Sequence, residues 1–224
     1  MKGVFVTGTD TGVGKTVACA WLMRAFDGDY WKPVQTGCAE GEDDSETVRG
    51  LSGFPEERFH APVHELQAPL SPQAAARLEG VGIILDGFTL PVSPKPVVVE
   101  GAGGVLAPLG DGLVMAELMV RLGLPVVLVA GTTLGTINHS LLSLEALRSR
   151  GLEIAGMVFC GVPDVANREA VEQLGEVTVI GEIPILNPLN AESMVALVKD
   201  APPFFPETGY RGSGFAGAAG SGRG

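Results

Sequence analysis

The chain has 224 residues, 46% of them hydrophobic, and a formal charge of −11, with a pI near 4.7. That length and apolar content suit one globular α/β domain with a full core. The acidic balance excludes a nucleic-acid surface, which needs a basic face. Cys19, Cys38 and Cys160 are far apart and in no ligand spacing, as in a reduced protein and not a disulfide scaffold. No apolar run reaches the roughly 18–20 residues that span a bilayer. The sequence opens directly on a strand pattern, with no leader. A cytoplasmic protein without a membrane or nucleic-acid partner is expected.

The first expected strand is 3–7. It feeds the loop Gly8-Thr9-Asp10-Thr11-Gly12-Val13-Gly14-Lys15-Thr16 and an expected helix over 16–26. A strand, a glycine loop and a helix N-terminus in that order make a phosphate cradle. Backbone N–H groups and the positive helix end face the anion, Lys15 adds a point charge, and the Thr16 hydroxyl can ligate Mg²⁺. Five residues separate Gly8 from Gly14 where the usual P-loop has four, and Thr9 takes the usual glycine position. No G-x-G-x-x-G follows a strand, which argues against a dinucleotide site.

The second expected strand, 29–32, ends at Lys32. Pro33 biases Lys32 to an extended backbone and leaves it at the strand's carboxyl end. It reads either as a second cation for phosphate or a substrate anion, or as an exposed surface lysine. The acidic run Glu40-Gly41-Glu42-Asp43-Asp44 precedes an expected helix over 44–51. It reads either as a solvated loop with Asp44 as N-cap or as the source of an Mg²⁺ carboxylate. His60 and His64 fall in a Pro-rich loop and carry no assigned role. A helix is expected over 71–79.

The third expected strand, 96–100, ends in Glu100 followed by Gly101-Ala102-Gly103-Gly104. Glu100 is expected at the sheet's edge of water, near the P-loop if the third strand neighbours the first. There a P-loop enzyme places an acidic metal contact. After a helix over 112–122 and a strand over 125–130, the loop through Gly135, Thr136 and Ile137 opens a helix over 138–150. That start is a second possible anion site, or ordinary capping by Thr136 or Asn138. His139 reads as a group hydrogen-bonding within the helix.

The remaining elements are strands 153–159 and 177–180 and helices 166–174 and 191–199. Continuous runs such as Val97-Val98-Val99 and Val126-Val127-Leu128-Val129 mean burial on both faces. They predict a mostly parallel sheet flanked by helices, with ligands at the strands' carboxyl ends. Residues 1–206 read as a single domain and 207–224, rich in Gly, Ala and Ser, as a flexible tail.

Seven stretches occur in one order across most of the chain: GTDTGVGKT, KPVQTG, Asp43-Asp44, LSPQAAA, VEGAGG, LGTINH and GEIP. Together they resemble the dethiobiotin synthetase family, a group with a P-loop NTPase-like fold. The resemblance implies an ATP- and Mg²⁺-dependent ligase acting on 7,8-diaminononanoate and CO₂. One amine becomes a carbamate, which attacks the γ-phosphate. The other amine then closes a ureido ring on the mixed anhydride, releasing ADP and phosphate.

The resemblance also implies residue roles. Thr9, Asp10, Thr11, Gly12, Val13, Gly14, Lys15 and Thr16 would hold the nucleotide, with Cys160 and Pro184 beside the base. Lys15, Lys32 and Thr11 would be catalytic. Thr16, Asp44 and Glu100 would hold Mg²⁺, Asp44 being set by gap-free alignment with Asp43 and Glu46 as rivals. Lys32 and Thr36 would contact the diamine or carbamate. Gly135, Thr136, Ile137 and Asn138 would hold the substrate carboxylate from a second subunit, which implies a homodimer with shared active sites. Cys160 stands where the family has a purine-reading asparagine. It lacks the amide's paired donor and acceptor, so a relaxed base preference is expected.

Overall fold

A strand whose two faces are both apolar needs a layer of helices on each side. The computed structural model describes residues 2–41 and 43–199, and supplies both layers. The expected tail at 207–224, and the last residues of the expected domain, lie outside the described residues. The main sheet has seven strands: β1 (Gly3–Gly8), β2 (Asp29–Trp31), β3 (Phe59–His60), β4 (Val97–Gly104), β5 (Val126–Gly131), β6 (Ile154–Cys160) and β7 (Val179–Ile183). Their order is β7-β6-β5-β1-β4-β2-β3, and every pairing is parallel.

The period of two sorts the core. Phe5, Val97, Val99, Val126, Leu128, Ala130, Met157 and Phe159 face one layer. Val4, Val6, Val98, Val127, Val129 and Val158 face the other. The first layer holds α3 (Pro72–Glu79), α4 (Met115–Leu122), α5 (Thr136–Arg148) and α6 (Val165–Gly175). The second holds α1 (Lys15–Phe26), α2 (Asp44–Ser52) and α7 (Ala191–Lys199). At about 25 cal/mol per Å² of apolar surface, these two layers supply the main favourable term of folding.

The order places β1 at the centre. Its neighbours, β4 and β5, come from later in the chain, so the crevice beyond their carboxyl ends is the switch point where ligands bind. Register fixes what reaches it: Val6 pairs with Glu100, and Thr7 with Leu128.

Three expectations change. β3 joins the sheet edge where a plain Pro-rich loop was expected, and His64 lies in a two-residue parallel ribbon, His64–Glu65 with Val34–Gln35. Such short pairings carry no periodic signal. β4 runs on through Gly104, so Glu100 lies inside the strand and is only 1% exposed, not at the water's edge. The N-cap of α2 is Asp43, whose side chain accepts from the Glu46 N–H, which frees Asp44 for other contacts.

At the opposite end of β2, buried Asp29 pairs with the Arg58 guanidinium and accepts from the Ser93 hydroxyl. Arg58 also lies over the Phe54 ring, 4.7 Å from its centroid. Burial pushes the Asp29 carboxyl up, but the Ser93 and Arg58 hydrogen bonds outweigh it and hold it below 3.8. A depressed folded-state value stabilises the fold above pH 3.8, and that contribution is lost as pH falls through the folded value. Asp29→Asn is therefore expected to lose about 2 kcal/mol at pH 7. In urea titrations the gap to the parent should narrow as pH drops below 4. A gap independent of pH would contradict the assignment.

Candidate active site

The P-loop connects β1 to α1. Gly14 sits at φ 96° as N-cap of α1, a conformation side chains rarely adopt. A Cβ there would also lie 2.7 Å from the Cys160 Cβ, so glycine is required on two counts. The loop is closed on itself: the Thr11 N–H donates to Asp10 Oδ1 at 2.7 Å, and Lys15 Nζ donates to the Asp10 carbonyl at 3.0 Å. Thr11, Gly12 and Asp10 are exposed, Thr9 and Val13 half-buried, and Lys15 buried. Burial pushes the Lys15 ammonium below its ordinary value, the Glu100 carboxylate opposing that and the Lys32 charge adding to it.

Beside the loop lies a charged cluster drawn from four elements. Thr16 Oγ1 is 2.9 Å from Asp44 Oδ1 and 3.1 Å from Glu100 Oε1. Lys32 Nζ lies 2.6 Å from Asp44 Oδ2 and 3.1 Å from Glu100 Oε1. Lys32 is 4% exposed, which removes the surface-lysine reading. Burial alone would lower its pKa, but the Glu100 and Asp44 carboxylates outweigh that and hold it above the ordinary lysine value. Burial likewise raises Asp44, and the Lys32 charge and the Thr16 hydroxyl bring it below the ordinary carboxylate value. Asp43 caps α2 and Glu46 pairs with Arg49. Asp44 is the acid of the three that meets Thr16.

The donors left facing the P-loop are oxygens: one hydroxyl and two carboxylates. Among the described residues no three His, Cys, Asp or Glu side chains converge as a metal cage. An Mg²⁺ ion fits such a set, because it takes one or two carboxylates and completes its shell with phosphate oxygens and water.

A cleft of about 770 Å³ opens beside the loop, within the usual size of small-molecule sites. Thr9, Asp10, Thr11 and Thr36 form one end. Leu70, Leu106, Ala107, Leu142 and Ser143 continue its walls to α5, with His139 among them. A second hollow of about 430 Å³ lies between Arg77, Asp86 and Asp111, away from the P-loop residues that line the first. His139, Leu142 and Ser143 were not recognisable from sequence as cleft residues. The helical spacing 139-142-143-146 was their only signal.

The start of α5 is one residue run the structure does not bring into this cleft. Gly135 caps the helix at φ 99°. The Thr136 hydroxyl donates to the Gly131 carbonyl. Ile137 packs on the core, and Asn138 and Leu134 face outward. The Cys160 thiol, at the end of β6, lies 3.7 Å from the Gly14 carbonyl, and burial pushes it up to about 12. Cys160 pairs with Ile183, the residue before Pro184, so the two expected base-side residues lie on neighbouring strand ends, Cys160 against the P-loop.

The contacts separate the two lysines. Lys32→Ala leaves two acids facing each other without their cation and is expected to cost about 3–5 kcal/mol. Lys15→Ala removes one bond to a backbone carbonyl and should cost no more than about 1.5 kcal/mol. Urea unfolding of both variants at pH 7 checks this; equal losses would contradict it.

A family model described as an AAA domain matches residues 2–193. The chain is 51% identical over 201 residues to the biotin biosynthesis bifunctional protein BioCD of Bordetella avium, covering 90% of this chain but 43% of that protein. The chain thus spans under half the length of that relative. It is 48% identical over 205 residues to the ATP-dependent dethiobiotin synthetase BioD of Paramagnetospirillum magneticum, covering 92% of this chain and 97% of that one. The corresponding protein of Nitrobacter hamburgensis is 46% identical, covering 85% and 90%. Among solved structures, a ParA family ATPase from Chlorobium tepidum superposes with TM-score 0.51 at 11% identity, covering 91% and 92%. That likeness concerns the fold alone.

Proposed function

The chain belongs to the ATP-dependent dethiobiotin synthetase family, and from that premise we propose how its residues carry the reaction. It is an ATP-dependent ligase that forms C–N bonds in biotin synthesis. The observation that carries the residue assignment is the convergence of Thr16, Lys32, Asp44 and Glu100, with Lys15 in electrostatic reach, at the P-loop whose Thr9 and Thr11 line the cleft together with Thr36.

The cleft's apolar walls, Leu70, Leu106 and Leu142, suit the methylene chain of 7,8-diaminononanoate, and Thr36 suits its polar end. One amine takes up CO₂ as a carbamate with loss of a proton. The carbamate oxygen attacks the γ-phosphorus as the bond to ADP breaks. The second amine then attacks the carbamoyl carbon, and phosphate leaves as the ring closes. The electrostatic problem is an anion approaching an anion. Lys15 turns from the Asp10 carbonyl to the transferred phosphoryl group, Thr11 donates to it, and Lys32 balances the charge beneath. Thr16, Asp44 and Glu100 would hold Mg²⁺, which supplies neutralisation of the β- and γ-oxygens when bound.

A second copy would complete the site. Leu134 just before α5, Asn138 and Leu142 on α5, and Leu70 and Leu106 in the cleft wall are exposed, and would supply a rim for a homodimer. Gly135–Asn138 of one subunit would meet the substrate carboxylate of the other. Among the described residues no helix is long and apolar enough to cross a membrane. The three free thiols suit a reducing cytoplasm.

Phosphate release from ATP is expected to require the diamine and bicarbonate together, and to fall about 10²–10³-fold in Lys15→Ala. Robust turnover with either co-substrate omitted would point to a switch ATPase of the same fold.

Shared sites make a mixing prediction. An inactive Lys15→Ala chain and an inactive Asn138→Ala chain should recover activity together, because one hybrid site is intact. No recovery from demonstrated heterodimers would count against a site built across subunits.

Base preference is the last expectation. The Cys160 thiol is engaged by the Gly14 carbonyl, and offers no paired donor and acceptor to a base edge. The values of kcat/KM for GTP and CTP should lie within about tenfold of ATP, or roughly 1.4 kcal/mol. An ATP preference above about a thousandfold would mean that backbone groups read adenine.

A further inference from the structure

Besides Thr16 and Lys32, Glu100 meets two buried groups, the Cys19 thiol and the Tyr30 hydroxyl. Tyr30 on β2 and Lys32, the residue after its end, are two apart, as are Val98 and Glu100 on one face of β4. Tyr30 pairs with Val98 across the strands. The phenol therefore lies one pleat beneath the carboxylate, and Tyr30 Oη donates to Glu100 Oε2 at 2.9 Å. The other oxygen, Oε1, has Thr16 Oγ1 and Lys32 Nζ each at 3.1 Å. Thr16 Oγ1 carries one proton and faces two carboxylates, so it cannot hold Glu100 by donation alone.

Tyr30 is fully buried and its ring lies 5.7 Å from that of Phe59. Phenylalanine would fill the same space. A buried hydroxyl is retained at a cost unless its partner compensates. Burial first, and the Glu100 charge second, hold the phenol well above its ordinary value, so it stays a donor across the working pH range.

We propose that Tyr30 is a positioning residue for Glu100: its O–H occupies Oε2 and fixes the carboxylate so that Oε1, beside the Thr16 hydroxyl, faces the divalent cation of the bound nucleotide. This rests on the reading of Thr16, Asp44 and Glu100 as the cation site. Loss of the clamp lets the carboxylate rotate, which weakens the cation and leaves cation-free nucleotide binding alone.

The test measures Mn²⁺ binding to the enzyme with a non-hydrolysable ATP analogue, by electron paramagnetic resonance, in the parent, Tyr30→Phe and Glu100→Gln. Tyr30→Phe should weaken Mn²⁺ about tenfold, as loss of an outer-shell partner does, while analogue affinity in EDTA changes less than about twofold. Unchanged Mn²⁺ affinity in Tyr30→Phe, with Glu100→Gln weakened, would overturn the role of Tyr30 alone. Equal loss with and without the cation would make Tyr30 structural. Unchanged Mn²⁺ affinity in Glu100→Gln would remove the cation site itself, and the clamp with it. A second measurement needs no change at Tyr30. The chain has two tyrosines, Tyr30 and Tyr210, so Tyr210→Phe protein labelled with fluorotyrosine gives one ¹⁹F resonance. It should shift when Mg²⁺ joins the bound analogue; a stationary resonance would overturn the proposal.

Discussion

A carboxylate can stay ionised inside a β-sheet only if donors surround it, and Glu100, 1% exposed between β1 and β2, imposes that condition on the whole site. Its donors come from β2, the residue after β2 and the start of α1. All of them sit on the stretch from α1 to just past β2, whereas Glu100 comes from β4. The Val6–Glu100 register and the glycine cap at Gly14 are the means of delivery. Change either, and a buried negative charge loses a partner.

The same constraint explains Lys32. A buried lysine between two acids adds little net stability, since desolvation offsets the attraction. What it contributes is geometry. Asp44 belongs to the second helical layer and Glu100 to the sheet, and one ammonium holds their oxygens on the same side. One ammonium against two carboxylates leaves the cluster net negative, which suits a divalent cation.

Much of this was legible in the sequence because the signals were local. The strand-loop-helix order of the P-loop, the valine runs and the residues after strands are short-range patterns, and they placed Lys15, Thr16, Lys32 and Glu100 in one site. What escaped depends on contacts distant in sequence. Asp43 and Asp44 are adjacent acids, and only the fold tells which one caps a helix and which meets Thr16. The burial of Glu100 escaped because the expected strand stopped at Glu100, whereas β4 continues through Gly104. β3 has two residues, too few for any period. Tyr30 left a faint trace, two positions before Lys32 on an expected strand. Its partner lies 70 residues away.

That two-residue β3 has a bearing on colloidal behaviour. An edge strand offers unpaired backbone groups to any passing chain, and long flat edges seed aggregation. Here one border of a seven-stranded parallel sheet tapers to Phe59–His60, with Pro62 two residues beyond. A foreign strand landing there finds room for very few hydrogen bonds and then a residue that cannot donate. At this border the sheet ends on a two-residue strand, so crowding at high concentration presses on side chains instead of backbone.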